Sequence, residues 1–360
     1  MSSLSTRNTT SFCDRYGRLL PGLLLSGVIA YGAIVLGKLA WMQSHGMSAL
    51  TLAIMLGIVL GNSVYGRLAP TCGAGVALSK QTFLRLGIIL YGFRLTFHDI
   101  GQVGMAGIAI DALVLMSTFG LAILLGTAVF KLERNSAILI GAGSSICGAA
   151  AVMATQPVLK AHSEDVSVAV STVVLFGSIA IFVYPLLYQW NQGWHVLAAT
   201  PAAFGVYIGS TVHEVAQVVA AGKSIGQETA NAAVIAKMVR VMMLAPFLVI
   251  LSAVLARGKG QAGDSGQEKA AALAIPWFAF IFIAVLAFNS LGLLPASTVA
   301  SITELDTVLL AMAMAALGLT THMSAIGRAG VKPLLLGGLL FCWLIAGGAA
   351  INHVVASLFA

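Results

Sequence analysis

About eleven nearly uncharged stretches, most of them about 20 residues long, constrain this chain more than any other feature. Crossing the hydrocarbon of a bilayer takes about 20 predominantly apolar residues. The stretches lie near 19–42, 47–66, 80–97, 103–130, 136–158, 165–189, 196–221, 228–256, 273–294, 303–323 and 332–358. They are continuous runs, not the weak alternation of about ten residues per strand that a barrel shows. With 59% hydrophobic and 9% charged residues, a soluble globular domain is excluded. The expectation is an all-α integral membrane protein with about 11 transmembrane helices. Residues 1–18 read as a cytoplasmic tail, 19–255 as spans one to eight, 256–272 as a Gly- and charge-rich cytoplasmic linker, and 273–360 as spans nine to eleven. The first apolar run exceeds a signal-peptide core and is expected to be retained.

The net charge of +7 suggests nucleic acid until its distribution is examined. With the N-terminus in the cytoplasm, the cytoplasmic segments hold Arg7, Arg15, Arg18, Arg67, Lys80, Lys131, Arg134, Arg257, Lys259, Lys269, Arg328 and Lys332, against Lys38, Lys160 and Lys223 opposite. This is the positive-inside pattern. It predicts the N-terminus inside, the C-terminus outside, an odd number of spans and no nucleic-acid partner. Cys13, Cys72, Cys147 and Cys342 lack metal-ligand spacing and read as unpaired packing residues.

Two internal echoes stand out. "LGIILYGFRLTFHDIGQVG" (86–104) over "MAMAALGLTTHMSAIGRAG" (312–330) aligns Gly92 with Gly318, and Asn62-Ser63 and Asn289-Ser290 fall at almost the same offset. Spans two to four would then repeat, inverted, as spans nine to eleven. "GSSICGAAAV" (143–152) echoes "GSTVHEVAQV" (209–218). Two spans apart, these would run parallel unless the 190–200 region hides an irregular or re-entrant piece, so the two echoes do not fit one linear repeat.

Gly141-Ala142-Gly143-Ser144-Ser145 breaks an apolar run in mid-membrane, where every freed backbone group needs a partner. Ser144 or Ser145 is expected to cap a half-helix starting at Ile146, presenting amides to an anion. Close packing of small residues is the competing reading. Gly209-Ser210-Thr211, followed by Glu214, reads as a second capped break. Ionisable residues inside spans are functional candidates because they are costly to hold. Lys237 and Arg240 share a helical face and are expected to face a cavity, whereas Arg94 and Asp111 are expected to form a structural ion pair. His213 and Glu214 read as a proton-accepting pair. Gln217 stands where a zinc motif needs its second His, so no metal is expected. Arg85, Arg94, Lys237 and Arg240 outnumber Asp111 and Glu214, which favours an anionic ligand.

The motifs "LRLGIILYGFRLTF", "GAGSSICGAAAVMATQPVLK", "YIGSTVHEVAQVV" and "ALGLTTHM", in this order, resemble the YeiH-like sulfate exporter family of bacterial inner-membrane proteins. More distantly, "GFRLTFHDI" before a glycine-broken span is similar to the first half of bile acid:sodium symporters. The resemblance implies an inverted-repeat transporter with panel and core domains and two unwound crossing helices. Span five would be the first crossing helix; the second would be span seven, through Gly209 to Glu214, or span ten, through Gly318 to His322. A bacterial inner-membrane location and sulfate or a related sulfur oxyanion or sulfonate as substrate are also implied, with a homodimer through the panel by analogy.

The reading is a secondary transporter, not an enzyme, without cofactor, that exports a small anion by alternating access with coupling to a proton or sodium. Gly143, Ser144, Ser145, Gly209, Ser210, Thr211, Lys237 and Arg240 would bind the substrate, and His213 and Glu214 would couple the proton. The alternative is a cation/proton antiporter using Glu214 and Asp111.

Overall fold

The computed structural model describes residues 12–39, 41–42, 47–194, 200–258, 277–321 and 330–359. These are helical: α1 (Phe12–Leu36), α2 (Ala49–Ser63), α3 (Tyr65–Leu78), α4 (Leu84–Tyr91), α5 (Phe97–Leu124), α6 (Arg134–Ala142), α7 (Ala149–Leu159), α8 (Ser163–Trp194), α9 (Pro201–Thr211), α10 (Val215–Ile225), α11 (Gln227–Met242), α12 (Leu244–Gly258), α13 (Trp277–Ser290), α14 (Ala296–Leu319) and α15 (Val331–Phe359). Among the described residues, six helical stretches are long and apolar enough to cross a membrane by length and composition alone. This is an all-α membrane protein. Most of the expected linker, the first 11 residues and His322 lie outside the described residues.

The chain from Tyr65 to Arg94 is one nearly unbroken helical rod, with π-helical Ser79–Phe83 between α3 and α4 and a 3₁₀ turn at Gly92–Arg94. A polar break was expected before residue 80. The stretch "GRLAPTCGAGVALSK" instead remains helical because α3 packs on α1: a Cβ at Gly75 would lie 2.1 Å from the Leu19 carbonyl oxygen. Lys80 therefore sits inside the rod, not in a loop.

The first echo corresponds to reciprocal packing. Gly318 of α14 lies against Ile54 and Gly57 of α2, while Gly92 lies against Phe282 and Leu286 of α13. Three residues beyond each glycine, an asparagine from the opposite pair closes the helix end. Asn62 Nδ2 donates to the Thr321 carbonyl at 2.9 Å, and Asn289 Nδ2 donates to the Leu95 carbonyl at 3.0 Å. Each bond satisfies a carbonyl that the end of a helix leaves without an intrahelical donor.

The second echo marks two helical hairpins. In the first, α6 continues through π-helical Gly143–Cys147 to Gly148 (φ 66°), and α7 folds back. A Cβ at Gly143 would lie 2.7 Å from Val152 Cγ2, although a continuous helix would separate residues 143 and 152 by about 13 Å. Ser136, early in α6, donates a hydrogen bond to Asp165 at the start of α8. The hairpin thus begins and ends at one level.

In the second hairpin, Gly205 and Gly209 of α9 lie against Thr229 and Ala233 of α11, so α9 and α11 run in the same direction. Gly222 of α10 lies against Ala230, so α10 runs back. Stretches 136–158 and 200–221, within the expected spans five and seven, are therefore not single continuous helices: the first is a helical hairpin, and the second forms most of one that ends at Ile225. The 32-residue α8 joins them from one end of the molecule to the other, so they open at opposite ends. One intervening crossing makes the two echoed motifs antiparallel and removes the conflict between the echoes.

Cysteines placed singly at Lys131 and Lys160 should react with a membrane-impermeant maleimide from one face, and cysteines at Thr200 and Gly226 from the other. Labelling of 131 and 160 from opposite faces would rule out the first hairpin.

Candidate functional site

The hairpin tips meet around three charged side chains, two of them fully buried and the third, Glu214, partly buried. Two come from one face of α11, where spacing of three residues sets Lys237 beside Arg240. Lys237 Nζ donates to the carbonyls of Ile146 and Val212, at 2.7 Å each. Arg240 donates from Nε to the Ser145 carbonyl at 2.6 Å, from Nη2 to the Ser144 carbonyl at 3.0 Å and from Nη1 to the Val212 carbonyl at 3.3 Å. These carbonyls end the inbound arms of both hairpins, where helices leave free acceptors and partial negative charge. Both cations are fully buried.

Glu214 serves the outbound arms. Its carboxylate accepts from the Ala149 amide at 3.3 Å, at the start of α7, and caps α10 in a reciprocal box with Gln217, whose Oε1 accepts from the Glu214 amide at 3.0 Å. Gly148 lets Glu214 reach across: a Cβ there would lie 2.4 Å from Glu214 Cγ. Asp111 of α5 is fully buried within electrostatic range of Arg240 and Lys237, and neither of its carboxylate oxygens has a hydrogen-bond partner among the described residues. Lys80 lies within electrostatic range of Glu214.

Each helix end is equivalent to about half a charge. Two C-termini and Asp111 then offset Lys237 and Arg240, and two N-termini offset Glu214. With every one of these side chains ionised, Lys80 leaves the centre with a formal surplus of about one positive charge.

Residues 21–337 match the family model described as conserved hypothetical protein 698. A UPF0324 membrane protein of Pseudomonas aeruginosa is 58% identical over 355 residues, 98% of this chain and 99% of its own length. The UPF0324 inner membrane protein YeiH of Escherichia coli strain K12 is 57% identical over 341 residues, 95% of each chain. Its Salmonella typhimurium namesake is 55% identical over 360 residues, the full length of both. The chain belongs to this YeiH-like family. It is a multi-pass inner membrane protein.

In this YeiH-like chain, the residues singled out from the sequence gather at the tips in altered roles. Ser144 and Ser145 do not cap an outbound helix: the chain stays helical to Cys147, Gly148 alone adopts the turning φ, and the two serines present carbonyls instead of amides. The Ser144 hydroxyl is buried without a partner among the described residues, and that of Ser145 points to the Ala142 carbonyl at 3.5 Å. Ser210 Oγ donates to the Tyr207 carbonyl and accepts from Asn352; Thr211 Oγ1 donates to the same carbonyl and accepts from Tyr184. Gly143 and Gly209 are close-packing positions, Gly209 against α11. The buried His213 ring faces Phe341 at 6.4 Å, and its Nδ1 has no partner among the described residues.

Arg94 and Asp111 do not pair. Arg94 Nε binds Asp306 Oδ2 of α14 at 2.8 Å and its Nη2 binds the Thr303 carbonyl and Thr307 Oγ1. The expected hairpin geometry fails because Gly104 (φ 51°) breaks α5, whose apolar part packs on α11 and α15. Asp306, Lys80 and Gln217 were missed as site or pairing residues. Asp306 was legible as a carboxylate within the tenth apolar run; nothing local in the sequence marked Lys80.

Replacing Arg240 with Met strands the Ser144 and Ser145 carbonyls and should cost about 3 kcal/mol in a denaturation or thermal-melt series. Arg240→Lys should lie between. Gly148→Ala, strained at positive φ and crowding Glu214, should lower Tm by more than Ala150→Ser on the exposed face of the same arm.

Proposed function

We propose that the chain is a secondary transporter, not an enzyme, that exports a small oxyanion, sulfate or a related sulfur oxyanion or sulfonate, by alternating access coupled to a proton. The observation that carries this reading is the meeting of two oppositely opening hairpins at a buried charged centre with a formal surplus of about one positive charge. Non-helical backbone at membrane depth is tolerated where protein surrounds it or where it lines a solute path. Glu214 acts as a tethered anion on the α7 N-terminus. Protonating it frees the Ala149 amide, and a substrate oxyanion takes its place with Lys80 opposite. His213 and Glu214 carry the proton.

The two-body packing supports the panel and core reading. Helices α1, α2, α3–α4, α13 and α14 pack among themselves; α5, both hairpins, α8, α11 and α15 form the second group. The reciprocal Asn62 and Asn289 bonds support inverted repetition in the first group, and the hairpins support it in the second. Of the eleven apolar runs, nine would then cross and two re-enter, leaving the termini on opposite faces. In this reading Lys160 shares a face with Lys131 and Arg134, which supports the positive-inside assignment of that face, and of the N-terminus, to the cytoplasm.

One observation favours a second reading, cation/proton antiport through Glu214 and Asp111: the two Asp111 oxygens, which have no partner among the described residues. Uptake of radiolabelled sulfate into proteoliposomes, with sulfite and taurine as competitors and an imposed pH gradient, separates the two. Anion transport predicts flux that loses its gradient dependence in Glu214→Gln and a KM raised roughly tenfold in Lys80→Met. No oxyanion flux, together with a cation-dependent pH change abolished by Asp111→Asn, would replace it with the antiporter.

A further inference from the structure

The Lys237 contacts have a symmetry that simple neutralisation does not require. Ile146 and Val212 are the fourth residues of the two echoed motifs, "GSSICGAAAV" and "GSTVHEVAQV". Their carbonyls therefore occupy equivalent places in the two hairpins, and both point at one nitrogen, at 2.7 Å each. Two inbound helix ends contribute partial negative charge at the same point. The carboxylates of Asp111 and Glu214 lie within electrostatic range of the ammonium. Converging carbonyls at interrupted helix ends, with carboxylates nearby, are the ligand set that membrane proteins use for alkali cations.

We propose that the two hairpin tips form a monovalent-cation site and that the ammonium of Lys237 is its tethered occupant. Arg240 takes the neighbouring carbonyls of Ser144 and Ser145 and shares that of Val212 at 3.3 Å, leaving Ile146 and the shorter bond to Val212 to the lysine. A chain that carries its own cation at this point needs no sodium or potassium ion there to hold the tips together. Shortening the lysine vacates a place the size of an ammonium group, lined by the Ile146 carbonyl, which loses its side-chain donor, and the Val212 carbonyl, which keeps only the 3.3 Å bond from Arg240, and a free cation of matching size then binds. The proposal concerns what closes the tips and does not rest on the transported solute being an anion.

The test is chemical rescue of stability, independent of transport. The full-length Lys237→Ala variant, reconstituted in lipid nanodiscs, is melted in chloride salts of ammonium, methylammonium, potassium, sodium and N-methylglucamine at constant ionic strength. Raising ammonium from about 1 to about 200 mM should raise its Tm by a few degrees, as mass action on a folded-state site requires, with no rise in N-methylglucamine. Wild-type protein should not respond, because its site is filled. Lys237→Met, whose apolar chain occupies the space, should melt lower than wild type and also not respond. If Lys237→Ala is recovered only when extracted in ammonium or potassium, its loss on dilution of that salt is the same result. Identical melting or recovery of Lys237→Ala in every salt would overturn the proposal, as would a wild-type response of equal size.

Discussion

A helix that stops in a buried interior leaves backbone groups that no water can satisfy, and the rest of this structure is arranged around that constraint. Two helical hairpins stop there, exposing two C-terminal and two N-terminal ends, and each unsatisfied group would cost several kcal/mol. Three side chains meet the demand jointly. Lys237 and Arg240 each bridge both inbound arms, and Glu214 bridges both outbound arms. Because each side chain serves both hairpins, neither tip is complete alone.

This sharing explains the choice of small residues around the centre. Gly205 and Gly209 let α9 lie against α11 closely enough for the Val212 carbonyl to reach Lys237, and Gly148 leaves room for Glu214. It also explains why Ser145, Ser210 and Thr211 of the echoed motifs need not face a ligand: their hydroxyls bond to their own helix and its neighbours. Charge balance then becomes informative. Lys237, Arg240, Asp111 and Glu214 are offset by one another and by helix ends, so the cation that stands outside this balance is Lys80, held by the π-helical turn of the α3–α4 rod.

Helical class and the position of the apolar runs were legible in the sequence, because hydrocarbon length and continuous hydrophobicity allow little else. Asn62-Ser63 and Asn289-Ser290 were visible as an echo, and they perform the same bond in reverse. The hairpins were not legible. A crossing of about 20 residues and a pair of shorter helical arms draw on the same apolar, glycine-containing composition, and what separates them in the first hairpin is that Val152 returns to Gly143. The same ambiguity misplaced Lys160. Lys80 read as a loop residue because α3 is only weakly apolar; its contact with α1 runs along one narrow face through Cys72, Gly75 and Val76. Arg94 was assigned to the wrong carboxylate because pairing was argued between consecutive helices, while its partner Asp306 is 212 residues away in sequence.

The central claim is that one ammonium closes both hairpins, and solid-state NMR of the protein in lipid tests it most directly. With ¹⁵N in lysine side chains and ¹³C in the carbonyls of isoleucine or valine, dipolar recoupling should show the Lys237 ¹⁵Nζ signal dephased by Ile146 in one sample and by Val212 in the other. Lys237→Arg identifies the resonance by its loss. Dephasing by only one of the two carbonyls, or by neither, would contradict the account.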